Sequence, residues 1–127
     1  MVASAGNDGN ATNPAPLTPG YDKLTGNKTC KNNLVVANAQ DANVDTQGNL
    51  ISVSINSSSS EGPTDDRRIK PDITGNGSGL TSSTDNSDSS YGSLSGTSMA
   101  APNVMGTLVL LQQHYNNVNS RFMKAAT

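Results

Sequence analysis

Ser95-Gly96-Thr97-Ser98-Met99-Ala100-Ala101-Pro102-Asn103-Val104-Met105-Gly106 is the stretch on which both fold and chemistry turn. A glycine-bearing turn leads here into a helical pattern: Val104, Leu108, Leu111 and Tyr115 recur at i, i+4, i+7 and i+11, one face of a helix. The spacing predicts a helix over residues 97–115, with Pro102 early enough to be tolerated in its first turn. Ser98 then stands among the first-turn residues, whose backbone N–H groups lack an intrahelical acceptor. The positive end of the helix dipole favours an anion there, which suits a serine that forms a tetrahedral oxyanion during acyl transfer. A serine at a helix start is also a common cap with no chemistry. These twelve residues by themselves leave both readings open.

Working outward, the chain offers short strands separated by glycine turns. Residues 1–5 are a run of small residues ending at Gly6-Asn7-Asp8-Gly9, the pattern of a buried strand entering a turn. Residues 10–33 hold Pro14, Pro16, Pro19, Gly20 and Gly26 and read as a long surface loop. Leu34-Val35-Val36-Ala37 is the compact apolar run expected of a buried parallel strand. Residues 50–55 alternate Ile51, Val53 and Ile55 with Leu50, Ser52 and Ser54, which predicts a strand with one buried face. Pro71-Asp72-Ile73 and Gly79-Leu80 look like short extended pieces, and residues 81–93 like a polar loop. Short strands with one clear helix indicate an α/β architecture.

Composition narrows the function classes. Leu, Ile, Val and Phe supply only 22 of the 127 residues, below the fraction of about one fifth under which chains tend to be disordered. Disorder also wants a high net charge, and this chain carries −2, so a globular segment with long polar loops fits better. No basic patch is present, which speaks against a nucleic-acid partner. The longest apolar stretch, residues 104–111, is too short to span a bilayer, and no basic-then-apolar leader opens the chain, so neither a membrane partner nor a signal peptide is expected. Cys30 is the single cysteine and reads as a lone loop thiol without the neighbours of a zinc site.

The Gly96-Thr97-Ser98-Met99-Ala100-x-Pro102 string, with Val104 and Gly106 following, resembles the nucleophile signature of the subtilases, the subtilisin-like serine proteases. Asn103 and Met105 depart from the commoner His and Ala. It is not the Gly-x-Ser-x-Gly elbow of other hydrolases, since Ala100 stands where that motif needs glycine. Val2-Ala3-Ser4-Ala5-Gly6-Asn7-Asp8-Gly9 resembles the family segment that carries the oxyanion-hole asparagine, here Asn7. The two segments lie in family order, about ninety residues apart. Between them, Asn33-Leu34-Val35-Val36-Ala37-Asn38-Ala39, Ser59-Ser60-Glu61-Gly62-Pro63-Thr64 and Ile69-Lys70-Pro71-Asp72-Ile73 resemble the family's next strand and two of its motifs. Gly75-Asn76-Gly77 departs from the usual Ala-Pro-Gly.

The resemblance covers residues 1–116, with residues 117–127 an unassigned tail. It implies a partial three-layer parallel-sheet α/β fold, subtilisin-like and lacking its N-terminal strands. It implies a serine endopeptidase with Ser98 as nucleophile, Asn7 as oxyanion donor, and a polypeptide substrate. By the same resemblance Ala3, Ser4, Ala5 and Gly6 line the pocket for the residue before the scissile bond, with Asp8 near its rim. The family is secreted or extracellular. Calcium sites are frequent in it, but no Asp/Asn cluster here has matching spacing, so no cofactor is assigned and no metal ligands are named. In the family the catalytic aspartate and histidine precede the serine; neither motif occurs here. His114 lies sixteen residues past Ser98, about 24 Å along a helix at 1.5 Å per residue. The expectation is therefore a chain that needs the N-terminal half of its catalytic domain and is inactive alone. The other reading is a relic or peptide-binding module of the same fold.

Overall fold

The computed structural model describes residues 1–12 and 21–117. The Pro-rich part of the long loop and the tail from residue 118 lie outside the described residues. In chain order the elements are β1 (Val2–Ser4), a 3-10 turn (Gly26–Thr29), β2 (Leu34–Ala39), β3 (Asn43–Val44), β4 (Leu50–Ser52), β5 (Ile73–Asn76), β6 (Leu80–Ser83), β7 (Tyr91–Leu94) and α1 (Thr97–Asn117).

Three strands form a parallel sheet in the order β1-β2-β5. The apolar run of β2 takes the central place, where both faces are covered: Val35, Val36, Ala37, Asn38 and Ala39 are all buried. Alternation along the strand sends successive side chains to opposite faces. Val36 meets Ala100 and Val104 of α1, with Val2, Leu34, Ala101 and Leu108 packed around them. Val35 joins Ala5 and Leu24 in a second cluster. The sheet with its covering helix is the α/β arrangement expected of a partial subtilisin-like fold.

The Ile-Lys-Pro-Asp-Ile motif ties β5 to the start of β2. Lys70 Nζ donates to Asn33 O at 2.7 Å and to the Asp72 carboxylate at 2.6 Å. The same Asp72 oxygen accepts the Val35 N–H at 2.7 Å, and the Asp72 N–H donates to Val35 O at 2.9 Å. Charge-assisted bonds of this kind fix register more firmly than neutral ones.

Four expectations are corrected. Residues 50–55 do not bury a face: Ile51, Val53 and Ile55 are exposed, and only Leu50–Ser52 is strand, paired with β3 in a separate hairpin. Residues 81–93 are not simply loop, because β6 and β7 pair antiparallel, Leu80 opposite Leu94 and Ser83 opposite Tyr91. Pro102 is the sixth residue of α1, beyond its first turn, so its missing N–H leaves the Ser98 carbonyl without an i+4 donor. The apolar face of α1 is buried at Val104 and partly at Leu108, but Leu111 is 39% exposed. The helix outruns a sheet of three strands.

Candidate active site

Asn7 and Ser98, distant in sequence, meet through Thr97. Ser98 is the second residue of α1 and is exposed. Asn7 lies in the turn that follows β1. The Asn7 carboxamide oxygen accepts from the Thr97 N–H at 3.0 Å and from the Thr97 hydroxyl at 3.1 Å. The same hydroxyl oxygen accepts the Gly6 N–H at 3.1 Å. With its oxygen doubly engaged, the Asn7 amide group has one rotameric sense, and its Nδ2 makes no hydrogen bond among the described residues. A helix start next to a free amide donor is well suited to receive an oxyanion.

Local sequence explains why the turn and the helix can approach so closely. Gly96 sits at φ 152°, in a region that favours glycine, and a Cβ there would lie 3.0 Å from Asn7 Nδ2. Its N–H donates to Gly77 O at 2.8 Å, and its carbonyl accepts from the N–H groups of Met99 and Ala100. On the other side, the serine run seats the Asn7 turn. The Ser60 N–H donates to Gly6 O at 2.9 Å, the Ser60 hydroxyl accepts the Asp8 N–H at 3.0 Å, and the Gly9 N–H donates to Ser58 O at 2.9 Å. Gly6, at φ 108°, leaves room for Ser60 Oγ and Lys28 Nζ, each 2.9 Å from where a Cβ would stand.

A groove of about 380 Å³ opens beside Ser98. Of the residues assigned by resemblance to the substrate pocket, Ala3 and Ser4 line it. Ala5 is fully buried, its N–H donating to Val36 O at 2.9 Å, and Gly6 is engaged with Thr97. Asp8 does not line the groove; Lys28, Asn27 and Ala101 do. Lys28 was not singled out in the sequence, since a lysine between Asn27 and Thr29 in a polar loop carries no local signal.

His114 is exposed on the same continuous helix as Ser98, its ring edge-on to Tyr115 at 5.7 Å. Among the described residues, no three His, Cys, Asp or Glu side chains gather as a metal site requires. The two carboxylates with depressed pKa lie outside the site: Asp66, hydrogen-bonded by Arg68 and Thr64, is held at about 2, and Asp45 is lowered by Asn49. No helix among the described residues is long and apolar enough to cross a membrane.

A parallel sheet covered by a helix that opens on a serine, with a carboxamide locked at that helix start, is the arrangement against which the family comparison is set. The chain belongs to the subtilase family, whose model matches residues 1–127. Over 63 residues, half of this chain, it is 43% identical to the PII-type and PI-type proteinases of Lactococcus lactis subsp. cremoris and to the PII-type proteinase of Lacticaseibacillus paracasei. That match covers 3% of each relative, so the chain corresponds to a small part of those proteins.

Proposed function

We propose that these residues carry the nucleophile and oxyanion hole of a subtilisin-like serine endopeptidase. Ser98 Oγ attacks the scissile carbonyl carbon as its proton passes to a general base, and the carbonyl oxygen becomes an oxyanion. The Asn7 Nδ2 and the Ser98 backbone N–H donate to that oxygen, each at about 3 Å. Collapse expels the amine, which takes the proton from the base, and leaves an acyl-Ser98 ester; water then hydrolyses the ester by the same steps in reverse roles. The peptide runs in the groove lined by Ala3 and Ser4. The base and its orienting carboxylate come from polypeptide outside these 127 residues, because His114 stands more than four turns along the helix that bears Ser98.

The observation that carries this reading is the Thr97 lock on the Asn7 oxygen, which leaves the amide donor free at the helix start. A second reading, a peptide-binding module without cleavage, draws on the one histidine of the sequence, His114, standing sixteen residues along the helix from Ser98. One experiment separates them. In the intact protease a fluorophosphonate probe should label Ser98, and Ser98→Ala should abolish labelling and cleavage. The 127 residues alone should show no labelling above that of their own Ser98→Ala variant. An intact protein that neither cleaves nor labels selects the binding module.

A further inference from the structure

We infer that Lys28 makes the groove beside Ser98 selective for an acidic substrate side chain, Asp or Glu, next to the scissile bond. The inference rests on the endopeptidase reading above and names its substrate class.

Lys28 is presented by a braced turn rather than a free loop. The Thr29 hydroxyl donates to Gly26 O at 2.8 Å, Asn33 Nδ2 donates to Asn27 O at 2.7 Å, and the Arg68 guanidinium reaches Thr29 O at 2.6 Å. From this turn the half-buried Lys28 side chain crosses to the bend after β1. Its ammonium lies 2.9 Å from the position a Cβ would take on Gly6, one residue before Asn7. The substitution-free face of Gly6 is what admits it.

Among the described residues Lys28 is the one charged side chain lining the groove, whose other walls include the small or apolar Val2, Ala3 and Ala101. Among the described residues it forms no ion pair; the salt bridges there join Arg68 to Asp66 and Lys70 to Asp72. Residues 13–20 contain no Asp or Glu that could supply one. A bound peptide closes the groove and strips water from this cation. A neutral or basic substrate side chain then leaves it uncompensated, whereas a carboxylate gives it a charge-assisted hydrogen bond. Discrimination of this kind comes as much from the penalty on wrong partners as from the attraction of the right one.

The test measures kcat/KM of the intact protease on a peptide series differing only at the residue before the scissile bond: Glu, Gln, Leu and Lys. Glu and Gln are nearly isosteric, so their ratio isolates charge. The expected ratio is about tenfold in favour of Glu, the scale of one hydrogen bond to a charged group. Lys28→Gln should bring that ratio close to one, Lys28→Arg should keep it, and Lys28→Glu should turn the preference toward the Lys peptide. A Glu/Gln ratio that does not respond to Lys28→Gln overturns the inference. So does an equal loss on all four peptides, which would assign Lys28 to the fold or to the oxyanion rather than to selection. Cleavage that survives Ser98→Ala would instead remove the endopeptidase reading itself; Ser98-dependent cleavage without charge preference removes only the role of Lys28.

Discussion

Thr97 is 1% exposed, and its hydroxyl joins two backbone segments that the sequence keeps ninety residues apart. Thr97→Val keeps the shape and deletes the hydroxyl. It leaves the Gly6 N–H without its acceptor, at a cost of about 1–3 kcal/mol for a buried unpaired donor, and releases one of two restraints on Asn7. In the intact protease we expect a lower denaturation midpoint and slower probe labelling of Ser98, with Thr97→Ser restoring both. Unchanged labelling would mean that the Thr97 N–H holds Asn7 alone. Asn7→Leu should cost roughly 10²–10³ in kcat with little change in KM, the loss found when the equivalent donor is removed from subtilisin. Asn7 and Ser98 were legible in the sequence because their side-chain chemistry and motif context mark them. The position of Lys28 was not: it depends on a turn reaching across to Gly6, a tertiary fact with no local pattern. At the same scale, the Arg68 and Thr64 hydrogen bonds hold the Asp66 carboxyl down from 3.8 to about 2. A depressed carboxylate adds stability that is complete above its unfolded pKa and lost as pH falls through the folded one. An NMR titration of Asp66 should therefore show a midpoint near 2, and Arg68→Gln should move it back toward 3.8.

At the scale of elements, the start of α1 is seated on β5 and the residue after it. A Cβ on Gly77 would meet Gly96 O at 2.5 Å and Asn38 Oδ1 at 2.7 Å, and one on Gly75 would meet Val104 Cγ2 at 2.7 Å. The departure from the family's Ala-Pro-Gly thus keeps the glycine that touches the turn ahead of Ser98. Gly77→Ala should force the helix start away from Gly77 O, costing about 1–3 kcal/mol as overpacking. The expected readout is a lower melting temperature together with slower labelling of Ser98; wild-type values for both would show that the joint is slack. Strand β2 and helix α1 were legible because each carries a long, consistent apolar pattern that tertiary packing then uses. The alternation of residues 50–55 misled, since period 2 reports a half-covered strand only where something covers it, and the β3–β4 hairpin stands off the sheet. The β6–β7 hairpin escaped notice for the opposite reason: its paired positions are largely Ser, Thr and Gly, so hydrogen bonding without an apolar stripe defines it.

Across the whole molecule, the buried apolar set is small. Among the described residues it comprises Ala5, Leu24, Val35, Val36, Ala37, Ala39, Ala100 and Val104, and half of these are alanines. Against it stand uncovered apolar surfaces on two sides. A groove of about 560 Å³ beside β5 includes Ile55, Ile73 and Ile69, the last 92% exposed. Another of about 520 Å³ lies between β1, the start of β2 and α1, lined by Leu34, Met105, Leu108 and Val109. The outer edge of β1 has no partner strand among the described residues. Apolar grooves and open parallel edges of this kind belong to surfaces that are covered in a complete domain. If the general base comes from polypeptide outside these residues, the same polypeptide has these faces to cover. The 127 residues alone should then melt gradually, bind a hydrophobic dye and exchange the β2 amides early. A subtilase N-terminal half bearing the aspartate and histidine should protect β2, quench the dye and restore cleavage together. Ser98→Ala should abolish the cleavage and leave the protection intact. A sharp cooperative transition with protected β2 amides in the 127 residues alone would detach stability from catalysis and favour a self-sufficient peptide-binding module.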